Sequence, residues 1–307
     1  MIASPVQIDP RPPQTIRLAE AGRDGPVRFS TGDGQTIDLS AFYQGQSCFI
    51  TASGPSLRGM DLAALRNVVT WGTNNSWSVI RPRLWTCVDP AEKFHPYGWM
   101  DPSITKLVPV ALANQQIRYR ADDGQWKLSR CRVRDMPAVL FWQRGGRFEP
   151  ADFLTENCVT WGNDEGVTCP CGIKGIRSVF MAVLKLAYSV GFRTVYLCGT
   201  DFRMEAGKPG YAFEQQRDRH AVSHNNRLYA AVNKRCEALL PYFEMAEFNV
   251  VNCTPDSGLK VFPYMPLADA IKEATRSYGA PMQTSGFYEP KPVARDEWGR
   301  RVDGRAG

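Results

Sequence analysis

The chain is poor in histidine, with three in 307 residues, and no apolar run approaches the ~18 residues that cross a bilayer. A membrane span is not expected. The opening MIASPVQIDPRPPQ has no apolar stretch behind a basic flank, so it does not read as a secretory signal, and a cytoplasmic location is expected. G-x-G-x-x-G, a P-loop lysine, a G-x-S-x-G elbow and the kinase motifs are all missing, which leaves hydride transfer and triad hydrolysis without support. C-x2-C pairs are missing too. Cysteine itself is plentiful at nine, an odd count, and several sit inside apolar runs, such as Cys48 in SCFIT and Cys198 in VYLCG. These read as reduced core residues. Cys158, Cys169 and Cys171 form one cluster with ligand-like spacing. No histidine lies near it, so structural zinc is the weaker reading and no metal ligand set is assigned.

What is present is an ordinary globular mixture of 43% hydrophobic and 22% charged residues. The 37 basic and 31 acidic residues give +6, a balance that suits a polyanionic partner without demanding one.

Residues 1–40 are rich in Pro, Gly, Arg and Asp and read as an N-terminal extension with one hairpin. Residues 279–307 read as a flexible C-terminal tail. Between them, 41–278 carries an alternating pattern. Short apolar runs predict strands at Ser47–Thr51, Asn67–Trp71, Leu84–Val88, Lys106–Ala111, Ala138–Phe141, Thr194–Cys198 and Asn249–Cys253. A short helix is predicted over Asp61–Leu65, and longer ones over Ser178–Val190 and His224–Leu240. The fold expected is α/β and Rossmann-like: a mainly parallel sheet with helices on both faces and an inserted subdomain or lid at about 112–165. Such sheets bind ligands where the C-terminal ends of strands meet loops. The insertion carries Arg118, Arg120, Lys127, Arg130, Arg132 and Arg134 among Tyr119, Trp126 and Trp142.

Four polar clusters follow strands. Thr51 to Leu57, with Gly54, Pro55 and Ser56, is either an anion-binding glycine turn or a tight turn capped by Ser56. Asn74 and Asn75 suit a sugar or base edge, or a plain turn. Gly199-Thr200-Asp201-Phe202-Arg203 offers a carboxylate for a metal or a hydroxyl and an arginine for a phosphate. The alternatives there are an Asx turn and a surface ion pair. Tyr211 to His224 holds two of the three histidines, His220 and His224, and histidine is the natural base for activating a hydroxyl. The residue after His220 is Ala221, so the H-E-x-x-H protease motif is broken.

In this order the clusters resemble the glycosyltransferase family 42 sialyltransferases and, more distantly, the domain-of-unknown-function 115 proteins, which include a hydroxymethylpterin diphosphokinase. The residues that carry the resemblance are Ser53 to Leu57, the strand ending near Asn74, Val190 to Phe202, Tyr211-Ala212-Phe213 and Asn252 to Ser257. It covers about 46–75 and 174–268 and omits the basic segment. It implies a glycosyltransferase that moves a sugar from a nucleotide-sugar, a CMP-sugar in the family, to an acceptor hydroxyl without a metal. Gly54, Pro55, Ser56, Asn74, Arg177, Gly199 and Phe202 would hold the nucleotide. His224 would be the base, with His220 as rival, Tyr211 and Arg203 would stabilise the departing phosphate, and Asp201 counts with them as a catalytic residue. Arg203 departs from the family, which has tyrosine there. The alternative is a Mg2+-dependent diphosphotransferase in which Asp201 holds the ion. The basic segment and tail leave room for a hydroxymethylated DNA base as acceptor, a less favoured reading than a solvated hairpin. Oligomeric state stays open.

Overall fold

The computed structural model describes residues 25–145, 148–160, 178–215, 219–276 and 278. Within them lie eleven strands: β1 (Arg28–Ser30), β2 (Thr36–Asp38), β3 (Ser47–Thr51), β4 (Val69–Thr73), β5 (Leu84–Thr86), β6 (Thr105–Pro109), β7 (Gln116–Arg120), β8 (Trp126–Arg132), β9 (Val139–Trp142), β10 (Thr194–Cys198) and β11 (Asn249–Asn252). The α-helices are α1 (Pro96–Met100), α2 (Val179–Ser189), α3 (Arg219–Met245) and α4 (Leu267–Ala274). Met1–Ala274 form one compact unit and Thr275–Gly307 a second. The expected tail 279–307 and the first 24 residues of the expected extension lie outside the described residues, as do Cys169 and Cys171 of the cysteine cluster.

Nine strands make one sheet in the order β11-β10-β3-β4-β5-β6-β9-β1-β2. From β11 to β9 every pairing is parallel, and β1 and β2 add an antiparallel edge. The parallel strands are buried almost throughout because both faces are covered, and all five residues of β4 are buried. Strand alternation sorts the core. Cys48 and Ile50 of β3 and Val195 and Leu197 of β10 pack with α2 and α3 on one face. Phe49 of β3 and Tyr196 and Cys198 of β10 meet Leu57, Leu65 and α4 on the other. The fold is therefore Rossmann-like α/β, a mainly parallel sheet with helices on both faces.

Three elements differ from the sequence reading. Asp61–Leu65 is no α-helix; a 3-10 turn, Pro55–Gly59, precedes it and a second, Ala64–Asn67, overlaps its end. These turns bury Leu57 and Leu65 without forming an α-helix. The helix read from 224 to 240 starts at Arg219 and runs past Pro241 to Met245. Proline lacks one N–H, and burial of Leu239 and Phe243 holds the helix together across that gap. Lastly, α2 is not one-sided: Phe180 to Ala187 are all buried, including Lys185, whose Nζ donates to the Glu156 carbonyl at 2.7 Å.

The segment 112–165 splits. Its strand β9 joins the main sheet between β6 and β1, while β7 and β8 form a separate antiparallel hairpin. The stretch read as N-terminal extension likewise supplies β1 and β2, because Val27 and Phe29 are fully buried in the core that holds Trp142.

Candidate functional site

In this sheet the chain steps from β3 to β4 on one side and returns as β10 on the other. The strand order thus reverses between β3 and β10, and a crevice opens beyond their C-terminal ends. Both loops there are built to approach each other closely. Ala52 N–H donates to the Cys198 carbonyl (2.8 Å) and Gly54 N–H to the Gly199 carbonyl (2.9 Å), which extends the parallel ladder past the strands. A Cβ on Gly54 would collide with the Asp201 carboxylate. Gly199 has φ +69°, and a Cβ there would sit 2.6 Å from Leu57 Cγ. Both positions need glycine, one for space and one for space and backbone together.

Asp201 is tied into this junction. Ser56 donates twice to it, through N–H to Oδ1 (3.2 Å) and through Oγ to Oδ2 (2.7 Å). The carboxylate therefore holds the start of the 3-10 turn that begins at Pro55. Behind it, Thr200 N–H donates to Thr254 Oγ1 (2.9 Å) and Gly258 N–H to the Asp201 carbonyl (2.7 Å). The Asn252–Ser257 stretch thus serves as the brace under the β10 loop.

Two strand ends carry backbone strain. Asn74, after β4, and Phe202, after β10, both sit at φ +49°. Bulky side chains avoid that region, and its use concentrates at ligand sites. The Phe202 ring is held between Phe180 (5.1 Å) and Tyr229 (5.0 Å). The Asn74 carbonyl accepts from Trp85 Nε1 (2.6 Å), while its side-chain Oδ1 is buried with no hydrogen-bond partner. An orphaned acceptor of this kind costs about 1–3 kcal/mol and is satisfied most simply by a ligand donor.

The crevice is a cleft of about 880 Å³. Of the residues expected at the site, it is lined by Gly54, Asn74, Gly199, Asp201, Phe202, Arg203, Tyr211 and His224. Gly54 and His224, 170 positions apart in sequence, converge there. Pro55 and Ser56 stand behind the wall in the turn, and His220, one helical turn before His224, does not line the cleft. Arg177 lies outside the described residues. The Tyr211 stretch is docked by the Ala212 N–H to the Ser53 carbonyl (2.9 Å) and by Arg58 Nε to the Ala212 carbonyl (2.9 Å). Tyr211 and Phe213 stack with ring planes 3° apart. Asn226 of α3 grips Met204 both ways, through N–H to Oδ1 and Nδ2 to carbonyl, each 2.9 Å. That clamp sets the height of α3, and hence of His224, over the β10 loop.

The opposite wall was not foreseen as part of the site. Asp89, Glu92 and Lys93 come from the loop after β5, and Arg118 from the hairpin strand β7. Asp89 and Lys93 pair at 3.5 Å. Charges in an irregular loop give no periodic signal, and Arg118 was read with its neighbours as one basic face.

No family model matches the chain, and no curated protein matches it. Two solved structures of the sialyltransferase CstII from Campylobacter jejuni do. One, in complex with the substrate analogue CMP-3FNeuAc, has TM-score 0.36 and 12% identity over 72% of this chain and 86% of that one. The other, with cytidine-5'-monophosphate, has TM-score 0.37 and 14% identity over 72% and 85%. Both superpositions are loose.

Proposed function

We propose that the protein is a glycosyltransferase that binds a nucleotide-sugar in this cleft and passes the sugar to an acceptor hydroxyl. The observation that carries the reading is the convergence of Gly54, Asn74, Phe202, Tyr211 and His224 on one cleft at the point where the strand order reverses. The orphaned Asn74 Oδ1 supports a donor-bearing ligand edge, such as a base or ribose, beside the β4 end. The nucleotide's phosphates would lie toward Arg203 and Tyr211, which line the cleft from the β10 side.

The reaction is a single displacement. His224 takes the proton of the acceptor hydroxyl, and the oxygen attacks the anomeric carbon as the bond to phosphate breaks. The departing phosphate keeps the bonding electrons, and Tyr211 and Arg203 offset its charge. His224 is exposed on the cleft side of α3, so a base there has access to an incoming hydroxyl. Exposure fits a base that must exchange its proton with water after each turnover. Asp201 ties the two loops together through its two hydrogen bonds from Ser56.

The test is a thermal-shift screen of CMP, UDP, GDP, ADP, ATP and their sugar conjugates, with and without Mg2+. Ligands that bind only the folded state raise its Tm. Stabilisation by a nucleotide-sugar or its nucleoside phosphate without metal is the expected result. Stabilisation by ATP with Mg2+ alone would overturn the reading.

A further inference from the structure

The reading above leaves the hairpin side of the cleft without a task. In β7 the alternation buries Ile117 in the core cluster formed with Trp85 and Phe141 and turns Arg118 the other way, into the cleft wall. The guanidinium lies over the Trp126 ring, 4.9 Å from its centroid. Register pairs Arg118 with Leu128 and Arg120 with Trp126, so Arg118 and Trp126 are diagonal neighbours across the hairpin. The Trp126 ring is itself met edge-on by His95, 5.4 Å away. The arginine thus rests against a supported aromatic surface.

Its charge is unanswered. Among the described residues no carboxylate lies within ion-pair distance of Arg118, although Asp89 and Glu92 share the cleft, and Asp89 is taken by Lys93. The Arg118 Nε–H is buried with no acceptor. His95 does not compensate. Burial and the adjacent Arg118 cation hold its imidazole below its ordinary pKa, and its Nδ1 accepts from the Tyr97 N–H. A guanidinium cannot shed its proton, and a buried charged donor left unmade is costly. The ordinary remedy on a protein surface is an acidic neighbour; here the fold supplies a ring and an open cleft instead.

We propose that Arg118 is an oxyanion-binding group of the cleft, its planar fork receiving a phosphate or carboxylate of the bound ligand. This rests on the cleft being the ligand site. The two sources of such an anion are the phosphates of the donor and an acidic group on the sugar or acceptor. The planar guanidinium fork suits bidentate recognition, which lysine cannot reproduce.

The Nε–H resonance of Arg118, assigned by its absence in Arg118→Lys, is followed by NMR during titration with inorganic pyrophosphate and, separately, with glucuronate. A saturable shift is expected with at least one. Response to pyrophosphate alone assigns the donor's phosphates, and response to glucuronate alone assigns an acidic sugar or acceptor. Calorimetry with the responding anion is expected to show about tenfold or greater weakening in both Arg118→Gln and Arg118→Lys. No shift with either anion, or equal affinity in wild type and Arg118→Gln, overturns the proposal. The nucleotide screen runs in parallel. Nucleotide stabilisation without an Arg118 response sinks the oxyanion site alone; an Arg118 response without any nucleotide effect sinks the glycosyltransferase reading alone.

Discussion

Ser56 and Asp201, 145 residues apart, are joined by two hydrogen bonds to one carboxylate, and this tie closes the floor of the cleft. A hydrogen bond to a charged acceptor contributes about 1.5–3 kcal/mol. Ser56→Ala and Asp201→Ala should each destabilise the protein by roughly 1–2 kcal/mol, and the double variant should cost less than their sum by about 1 kcal/mol. Urea denaturation of the four proteins reads this coupling. Strict additivity would show that the two residues act independently.

Gly54 stands where the Asp201 carboxylate and the Gly199 carbonyl leave no room for a side chain. Gly54→Ala should therefore lower stability by roughly 1–3 kcal/mol, the range for overpacking a site that cannot relax. Gly59→Ala makes the control, since a Cβ at Gly59 would meet nothing within 4 Å. Matched Tm values for the two variants would show that the loops can part without cost.

His224 lines the cleft and His220 does not. His224→Ala should reduce transfer roughly 10²–10⁴-fold, the usual contribution of a general base, with the Kd for the nucleotide nearly unchanged. His220→Ala should leave kcat within a few-fold of wild type. Loss of binding in parallel with turnover would remove His224 from the chemistry and make it a binding residue.

Lys185 is buried within α2, and burial lowers its pKa to about 8 from 10.5. The unfolded chain holds that proton to higher pH than the folded one. The penalty for keeping Lys185 charged is therefore full below pH 8 and is relieved between about pH 8 and 10.5. Over that window wild type should gain stability relative to Lys185→Met, by an amount on the order of 2–3 kcal/mol. Guanidinium denaturation of both proteins at several pH values measures it. Parallel curves would mean that Lys185 stays charged in the fold throughout, with the Glu156 carbonyl and nearby carboxylate sufficing.

The sheet was readable where strands are buried on both faces. Runs such as SCFIT and TVYLC have no polar alternation to confuse with a helix, and they became β3 and β10. The hairpin read within 1–40 is present as β1 and β2, but its place in the main sheet was not legible, because three-residue strands among Pro, Gly and Arg give no period, and only the burial of Val27 and Phe29 reveals it. At the site, residues placed directly after buried strands, such as Asn74 and Phe202, were legible, since the C-terminal ends of parallel strands open on one crevice. The task of Asp201 was not: its partner is remote in sequence, and nothing local distinguishes a carboxylate that ties two loops from one that meets a ligand. Arg118 was hidden differently. Its neighbours are also basic, and Arg120, two residues on, shares its face of the strand; only Arg118 reaches the cleft.

The register of β3 against β10 has a consequence for synthesis. Thr51 pairs with Cys198, so the centre of the sheet waits for a partner made much later. At ribosomal rates of about 5–20 residues per second, the 145 residues between Ser56 and Asp201 take roughly 7–30 s to emerge. Throughout that interval β3 is an open edge, able to pair with β4 alone. The nascent chain thus carries a bare, apolar strand in the middle of its future sheet, and chaperone demand during translation should peak before β10 appears and fall once it does.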